Sequence, residues 1–476
     1  MSSYTISPAL NKSRVFILQK SELEKRFDPF FYVPKLLELE KKVLAKKPKK
    51  LRDFVQGLAS GATPKTTESE KYYAEKENGI PFLRVQNLSQ TGVLEFDDCK
   101  YINEETHNGM LKRSQVSAGD LLVKITGVGR MAVASVAPEG FEGNINQHVC
   151  VINTGSKEIS ETLAAFLNSD IGEKLASRRS TGGTRPALDY PALLSIPIIE
   201  DKRILQITAK VIAQKQKNEA EAVKLLSSID DYLLNELGIK LPEPSENALK
   251  NRMFVRTLSD IVNKRIDPFF HQDKFINNLT AISNGNYPVK QLREIILGNL
   301  IKGSLPKQDE KDGECSVVQI NSINADGTIA LDDLLKAKNI FSKQQKLQIG
   351  DVLVVITGAT IGKIAFWSYE GDYFLGGDIV KFQTNSLSDN AFVYHFLRCS
   401  LMQTEIKRNI TGTTNGHLAP EDISHLPIPV PLLDKQKELA EHITSLRQQA
   451  QQLKDKTNEL LKKASEEIEE ILIGKE

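Results

Sequence analysis

The hexapeptide Arg26-Phe27-Asp28-Pro29-Phe30-Phe31 returns in the second half of the chain as Arg265-Ile266-Asp267-Pro268-Phe269-Phe270. Further pairs of similar segments follow in the same order in both halves. They are Leu51-Arg52-Asp53 with Leu292-Arg293-Glu294, Pro64-Lys65 with Pro306-Lys307, 82–92 with 317–327, 119–123 with 350–354, 181–184 with 411–414, and 196–198 with 426–428. Collinear matches of this kind indicate a duplication whose period is far longer than that of a solenoid repeat. Each copy is therefore expected to be a domain with its own core.

Both copies combine strand patterns with helix patterns. The apolar, β-branched runs at 121–125 and 352–356 lie between Gly-Asp and Thr-Gly, which indicates strands that enter turns. Residues 162–179 and 392–408 have the amphipathic period of helices. The mixture predicts an α+β protein built from two mixed α/β domains in tandem.

A long helix is predicted after each copy. The sequence there loses Pro and Gly and becomes rich in Lys, Glu, Gln, Leu and Ala, residues that favour helices. Positions alternately four and three apart form a heptad seam at Leu439, Ile443, Leu446, Ala450, Leu453, Thr457, Leu460, Ala464, Glu467 and Ile471. A seam with the same spacing, more polar in its middle, is predicted at Leu205, Thr208, Ile212, Lys215, Glu219, Ala222, Leu226, Ile229 and Leu233. Helices of some 35 residues are roughly 50 Å long. A small core does not need such helices, so they are interpreted as spacers.

The chain is thus predicted to have four parts. They are a mixed domain at 14–200, a spacer helix and linker at 201–243, a second mixed domain at 250–433 and a second spacer helix at 434–476. The linker prediction depends on Pro242-Glu243-Pro244, which follows the helical pattern.

Composition excludes little. The chain has 62 basic and 61 acidic residues and a formal charge of +1, whereas many nucleic-acid binders are basic overall. Local clusters such as Arg178, Arg179 and Arg185 still provide cations near a glycine-rich turn. The four cysteines are far apart, so neither a zinc site nor a disulfide framework is expected. No apolar run of membrane-spanning length and no signal-peptide pattern occur, which predicts a cytoplasmic location.

No catalytic motif is complete. Residues 358–363 resemble a phosphate-binding loop, but three residues instead of four separate the glycines, and Ile364 follows where Ser or Thr would bind magnesium. Asp28-Pro29-Phe30-Phe31 and its copy resemble the Asp-Pro-Pro-Phe motif of adenine methyltransferases, but both lack the second proline. A structural role with aromatic packing is the favoured interpretation. The histidines show no metal-ligand spacing.

The duplicated order of motifs resembles the specificity subunit of type I restriction-modification enzymes. In each copy an Arg-x-Asp-Pro-Phe-Phe element, a Gly-Asp-Leu/Val-Leu strand, a Thr-Gly-x-Thr turn, an Ile/Leu-Pro-Ile strand and a long helix follow one another, over nearly the whole chain. The resemblance implies two target recognition domains, one for each half-site of a bipartite double-stranded DNA target. It also implies that the two spacer helices pair as an antiparallel coiled coil.

The resemblance implies a non-catalytic chain that directs partner subunits. Two modification (methyltransferase) subunits would methylate adenine, and restriction subunits would act as ATP-dependent translocases and nucleases. No cofactor is expected in this chain, because S-adenosylmethionine would be bound by the modification subunit, and no metal site is expected.

Candidate DNA contacts lie in the turns, where hydroxyl groups, cations and main-chain amides are exposed. The candidates are Arg130, Arg178, Arg179, Thr181, Thr184 and Arg185 in the first copy, and Thr360, Lys363, Lys407, Arg408, Thr411, Thr413, Thr414, Asn415 and His417 in the second. Two other classes stay open: an adenine-specific DNA methyltransferase acting through the Asp-Pro-Phe-Phe segments, and a coiled-coil scaffold that binds only proteins.

Overall fold

A computed structural model describes residues 10–11, 14–24, 26–241, 253–261, 265–305, 313–338, 340–412 and 416–474. The chain divides into two compact units. Unit 1 consists of Met1–Glu219 and Asp455–Glu476, and unit 2 consists of Ala220–Lys454. The predicted linker at Pro242-Glu243-Pro244 lies outside the described residues, and the four predicted domain boundaries stay predictions.

Unit 1 contains ten strands and six complete helices within the described part of the chain. The strands are β1 Lys49–Lys50, β2 Gly57–Ser60, β3 Ile80–Leu83, β4 Lys100–Ile102, β5 Gln115–Ser117, β6 Leu121–Lys124, β7 Ala134–Val136, β8 Glu142–Ile145, β9 Val149–Asn153 and β10 Pro197–Ile198. The helices are α1 Pro34–Ala45, α2 Ser69–Tyr72, α3 Glu104–Asn108, α4 Lys157–Asn168, α5 Asp170–Arg179 and α6 Tyr190–Leu194, and α7 Lys202–Glu236 begins here.

Unit 1 has two four-stranded sheets, with the strand orders β2-β9-β6-β7 and β4-β3-β8-β5, and a two-stranded sheet of β1 and β10. Strand β6 is buried on both faces. Leu121 and Val123 pack in a core with α4 and α5, whereas Leu122 packs against the second sheet. A strand that is covered on both faces needs apolar side chains on both, so its sequence does not alternate between apolar and polar residues.

Unit 2 repeats this plan with one strand fewer in its second large sheet. Its strands are β11 Val289–Gln291, β12 Ile301–Lys302, β13 Cys315–Val318, β14 Leu335–Ala337, β15 Val352–Val355, β16 Ile364–Phe366, β17 Tyr373–Leu375, β18 Ile379–Phe382 and β19 Pro427–Pro429. Its helices are α8 Leu258–Ile261, α9 Asp273–Ser283, α10 Leu292–Ile295, α11 Asn390–Arg398, α12 Ser400–Asn409, α13 Pro420–Ser424 and the start of α14 Leu433–Ile473. The sheet order β12-β18-β15-β16 matches β2-β9-β6-β7 of unit 1, so the predicted duplication is confirmed.

Each predicted amphipathic helix before the Thr-Gly turn is a pair of helices. In unit 1 the break lies at Ser169, whose backbone is extended and whose side chain accepts from the N–H of Gly172 at the start of α5. A side chain at Gly172 would collide with the carbonyl oxygen of Phe166, so only glycine fits. In unit 2 the break lies at Cys399. The serine N-cap competes with helix continuation, which periodicity alone does not reveal.

The long helices pair antiparallel within each unit. In unit 1, Ile204 at the start of α7 packs with Ile468 and Leu472 near the end of α14. In unit 2, Leu233 near the end of α7 packs with Leu439 near the start of α14. The antiparallel pairing implied by the resemblance is therefore confirmed.

The helix seam departs from the predicted one by one residue in places. In α7 the buried positions include Ile204, Val211 and Asn218, not Leu205, Ile212 and Glu219, and in α14 Ile468 is buried where Glu467 was expected. An α-helix has 3.6 residues per turn, so a strict heptad drifts around it. The amide of Asn218 donates to the hydroxyl of Thr457 at 2.9 Å, which satisfies both polar groups in the seam.

His395 in α11 makes the stability of unit 2 depend on pH. Its side chain is buried and its Nε2 lies 3.0 Å from the hydroxyl of Thr444. Burial lowers the pKa of His395 to about 3, with a smaller contribution in the same direction from the nearby cations Arg447 and Arg398. Because an unfolded histidine has a pKa of about 6.5, the unfolded state binds one more proton between these values. Stability therefore falls as the pH falls below about 6.5.

We expect the His395→Ala variant to lose a pH slope of up to about 1.4 kcal/mol per unit between pH 6.5 and 5. Alanine is the natural residue at Ala165, which precedes Phe166 as His395 precedes Phe396. Urea unfolding followed by the fluorescence of Trp367, the single tryptophan, measures unit 2. The exposed His425→Ala variant is the control and should keep the slope. Equal slopes in wild type and the His395 variant would contradict the prediction.

Candidate nucleic-acid interface

The two turns that the sequence singles out in the first copy lie side by side in unit 1. Ala187 forms β-bridges with both Thr126 and Thr181. The N–H of Gly127 donates to the carbonyl of Pro186 at 3.0 Å, and the N–H of Leu188 donates to Ile125 at 2.8 Å. The loop after β6 and the loop 182–186 are therefore joined at their bases into one surface.

A third segment joins them that sequence reasoning missed. The N–H of Ile125 donates to the carbonyl of His148 at 3.0 Å. Nη2 of Arg185 lies 2.9 Å from Nε2 of His148, and Nε2 of Gln147 lies 3.3 Å from the same atom. Gln147 and His148 occupy the turn between β8 and β9, where no motif marks them.

Unit 2 has the same arrangement. His417 forms β-bridges with both Thr357 and Thr411, and the N–H of Leu418 donates to Ile356 at 2.9 Å. The N–H of Ile356 donates to the carbonyl of Asp378 at 3.0 Å, so Asp378 stands where unit 1 has His148. The candidates Thr413, Thr414 and Asn415 lie outside the described residues.

The remaining candidates differ in how accessible they are. Thr181, Thr184, Arg185, Lys407 and Thr411 are exposed, whereas Arg130, Thr360, Lys363 and His417 are half-buried. Two of the half-buried cations have partners, since Arg130 forms a 2.6 Å ion pair with Asp170 and Lys363 donates to the carbonyl of Ile323 at 2.9 Å. The exposed residues are thus the better candidates for DNA contact.

Three of the predicted DNA contacts are buried in the structure. Arg178, Arg179 and Arg408 are 2%, 8% and 6% exposed, so their guanidinium groups lie below the surface that DNA could reach. Glu40 of α1 forms ion pairs with both Arg178 and Arg179. Arg408 pairs with Glu405, three residues earlier in α12, at 3.2 Å. These arginines support the loops from within.

Burial also lowers the pKa values of several side chains at this site. It lowers the pKa of Arg178 to about 10 and that of Arg179 to about 10, because a charged guanidinium loses hydration in the interior. Burial lowers the pKa of His148 as well, and the positive charge of Arg185 acts in the same direction. His148 is therefore neutral near pH 7, and its Nε2 accepts hydrogen bonds from Arg185 and Gln147.

The repeated Arg-x-Asp-Pro-Phe-Phe element contacts the end of the helix that precedes each Thr-Gly loop. In unit 1, Arg26 binds Asp28 at 2.8 Å and donates to the carbonyls of Arg179 and Ser180 at 2.8 and 2.9 Å, which have no helical partner at the end of α5. The ring of Phe31 lies between Arg26 and Arg178, 4.5 and 3.9 Å from their guanidinium carbons.

The second copy has the same set of contacts. Arg265 binds Asp267 at 2.7 Å and donates to the carbonyl of Asn409 at 3.2 Å. The ring of Phe270 lies between Arg265 and Arg408, at 5.2 and 4.0 Å. Because these contacts end where the Thr-Gly loops begin, the element positions each loop on a rigid support.

Comparison with known proteins agrees with this architecture. Residues 284–463 match the family model described as Type I restriction modification DNA specificity domain. The chain thus resembles the type I specificity subunits. It is similar to the EcoKI specificity subunit of Escherichia coli K12, with 23% identity over 170 residues, and to the EcoBI specificity subunit of Escherichia coli, with 20% identity over 443 residues.

The extent of these likenesses differs. The EcoKI alignment covers 35% of this chain and 37% of that specificity subunit, and the EcoBI alignment covers 88% and 83%. The crystal structure of a type I S subunit from M. genitalium is 13% identical and matches over 90% of this chain and 94% of its own, with a TM-score of 0.43.

The described residues contain neither a cluster of metal ligands nor a membrane-spanning helix. Within the described ranges, no group of three His, Cys, Asp or Glu side chains is arranged to hold a metal ion. None of the helices in that part of the chain combines the length and the apolar composition of a membrane span.

Proposed function

We propose that this chain reads a bipartite double-stranded DNA target, with one half-site for unit 1 and one for unit 2, and directs partner subunits to it. Modification subunits methylate adenine at the bound target, and ATP-dependent restriction subunits act when it is unmethylated. The observation that carries the proposal is the repeated loop cluster. Each unit joins a loop after its central strand, the base of a Thr-Gly loop and a turn that connects its two larger sheets.

The composition of the clusters suits DNA. Exposed threonines, main-chain amides at glycines and the cations Arg185 and Lys407 are groups that contact phosphates and base edges. The rest of the chain is nearly neutral, so partners are proposed to contribute much of the phosphate neutralisation.

The chain itself is proposed to be non-catalytic, with S-adenosylmethionine bound by the modification subunit. The strongest catalytic candidate is the Asp-Pro-Phe-Phe segment, but the Asp28 carboxylate is already engaged. Its Oδ1 accepts from the N–H of Phe31 at 3.1 Å and its Oδ2 accepts from Arg26 at 2.8 Å. Asp267 makes the same two contacts. A carboxylate that caps a turn and pairs with arginine is explained by structure alone.

Mapping of methylated adenines by long-read sequencing tests the proposal. The host strain, a strain in which this gene is deleted, and the deletion strain carrying the gene again are compared. We expect one bipartite motif with an unread gap to be methylated in the first and third strains and unmethylated in the second. A methylome that does not change on deletion would support the protein-only scaffold, and methyl transfer by the purified chain alone would support the methyltransferase alternative.

A further inference from the structure

Four side chains of unit 1 form a hydrogen-bonded row beside the Thr-Gly loop. Thr63 bonds to the amide oxygen of Gln147, the Gln147 amide nitrogen lies 3.3 Å from Nε2 of His148, and Nη2 of Arg185 lies 2.9 Å from that nitrogen. Thr63, Gln147 and Arg185 are exposed, and His148 is half-buried. We call these four residues the unit 1 polar row.

Arg185 differs from the other arginines near the loops. Arg130, Arg178 and Arg179 are each paired with a carboxylate. Within the described part of the chain, Arg185 has no ion-pair partner, and its hydrogen bond is to a neutral imidazole. One nitrogen of its guanidinium is thus held in place while its full charge and its other donors stay available.

An exposed apolar side chain lies in the neighbouring loop. Val128 is 77% exposed in the loop after β6, and the adjoining Gly127 donates to Pro186, the residue after Arg185. Phosphates attract cations and offer nothing to an exposed valine. Base edges in the major groove offer both acceptors for arginine and the methyl group of thymine for an apolar side chain.

We propose that Arg185 reads a guanine in the half-site of unit 1, with the polar row as its positioning support. The inference rests on the proposed function and names the base that one residue recognises. A planar guanidinium donates two parallel hydrogen bonds to O6 and N7 of guanine, a geometry that requires a fixed orientation. The contact to His148, which Gln147 also contacts, supplies that orientation, whereas a phosphate contact would not need it.

Unit 2 does not repeat this group. Asp378 and Gly377 stand where unit 1 has His148 and Gln147, as the matching main-chain hydrogen bonds at Ile125 and Ile356 show. A carboxylate accepts hydrogen bonds and repels phosphate, so the two units present different chemistry from the same turn. The guanine contact proposed for Arg185 therefore concerns the half-site of unit 1.

The test compares three variants of the full chain, Arg185→Ala, Arg185→Lys and Lys407→Ala, each expressed from its own locus in the gene-deleted strain with its natural partners. Methylated adenines are mapped by long-read sequencing. We expect Arg185→Ala to relax one guanine position in one half-site, with discrimination against other bases reduced about fivefold to a hundredfold, while the other half-site and the gap stay the same.

The other two variants separate base reading from charge. Arg185→Lys keeps the charge but loses the planar fork, so it should relax the same position. Lys407→Ala should leave the motif unchanged, weaken binding and lower the log-log salt slope by about one. An unchanged motif in Arg185→Ala, or full specificity in Arg185→Lys, would overturn the inference while the proposed function stands. If the wild-type gene produced no motif at all, both would fall.

Discussion

The Glu40→Ala variant is expected to lose about 3 to 5 kcal/mol of the stability of unit 1, because it leaves two buried arginines without a counter-charge. Arg178 and Arg179 are adjacent in α5, and Glu40 pairs with both of them. The Glu40 side chain is only 13% exposed, so water cannot replace it without opening the contact between α1 and α5. Repulsion between the buried guanidinium groups of Arg178 and Arg179 adds to the loss of stability.

Hydrogen exchange measured by mass spectrometry suits this variant, because peptides from α5 report on unit 1 alone. Amides of α5 should exchange at least a hundredfold faster, since each 1.4 kcal/mol corresponds to a factor of ten. Glu38→Ala is the matched control, because Glu38 lies on the same helix with 71% of its side chain exposed and a 3.9 Å pair with Lys42. That control should change stability by less than about 0.5 kcal/mol. Equal exchange in both variants would refute the expectation.

The Asp351→Asn variant is expected to destabilise unit 2 by about 3 to 5 kcal/mol, through a buried lysine that the first copy lacks. Lys381 is 4% exposed, and its Nζ lies 2.8 Å from Oδ2 of Asp351 and 2.6 Å from the carbonyl of Lys346. Asn keeps the size of Asp351 but removes the charge that neutralises the ammonium group.

The equivalent aspartate of unit 1, Asp120, provides the control. Leu353 pairs with Lys381 in the sheet, whereas the equivalent Leu122 pairs with Val151, so the matching Asp120 has no buried lysine beside it. Burial raises the pKa of Asp120, which means that its surroundings favour the neutral form. Asp120→Asn should therefore cost less than about 1 kcal/mol.

Trp367 fluorescence reports the unfolding of unit 2, and Trp367 lies close to the substituted residue because its main-chain N–H donates to the carbonyl of Asp351 at 2.9 Å. The double variant Asp351→Asn with Lys381→Val should recover most of the lost stability, since it removes both charges. A loss in Asp351→Asn as small as that in Asp120→Asn, or no recovery in the double variant, would show that the ion pair has little influence.

The sequence was informative wherever the signal was local or repeated. The strands at 121–124 and 352–355 and the long helices were predicted because each depends on a run of neighbouring residues. The duplication predicted two units with the same sheet order, which the structure confirms. The register of the helix seam was less accurate, since the choice between Ile204 and Leu205 depends on what lies opposite.

The site was predictable only in part, because charge is visible in a sequence and burial is not. In the sequence, three arginines appear as unpaired cations near a turn: Arg178, Arg179 and Arg408. The neighbouring residues do not indicate that Glu40, which is distant in the chain, pairs with Arg178 and Arg179. Gln147 and His148 were missed for a related reason. They reach the Thr-Gly loop through sheet pairing between strands that are distant in sequence.

Unit 1 is assembled from two stretches of chain that unit 2 separates. Its core contains Ile204 from before unit 2 and Ile468 and Leu472 from after it. A ribosome therefore completes all of unit 2 before it adds Ile468 and Leu472. Unit 2 is one continuous stretch and can collapse as it emerges, whereas the part of unit 1 that emerges first keeps an apolar edge uncovered until translation has passed Leu472. The half of the protein that is made later is thus the half that can finish folding earlier, and chaperones would encounter unit 1 in its exposed form.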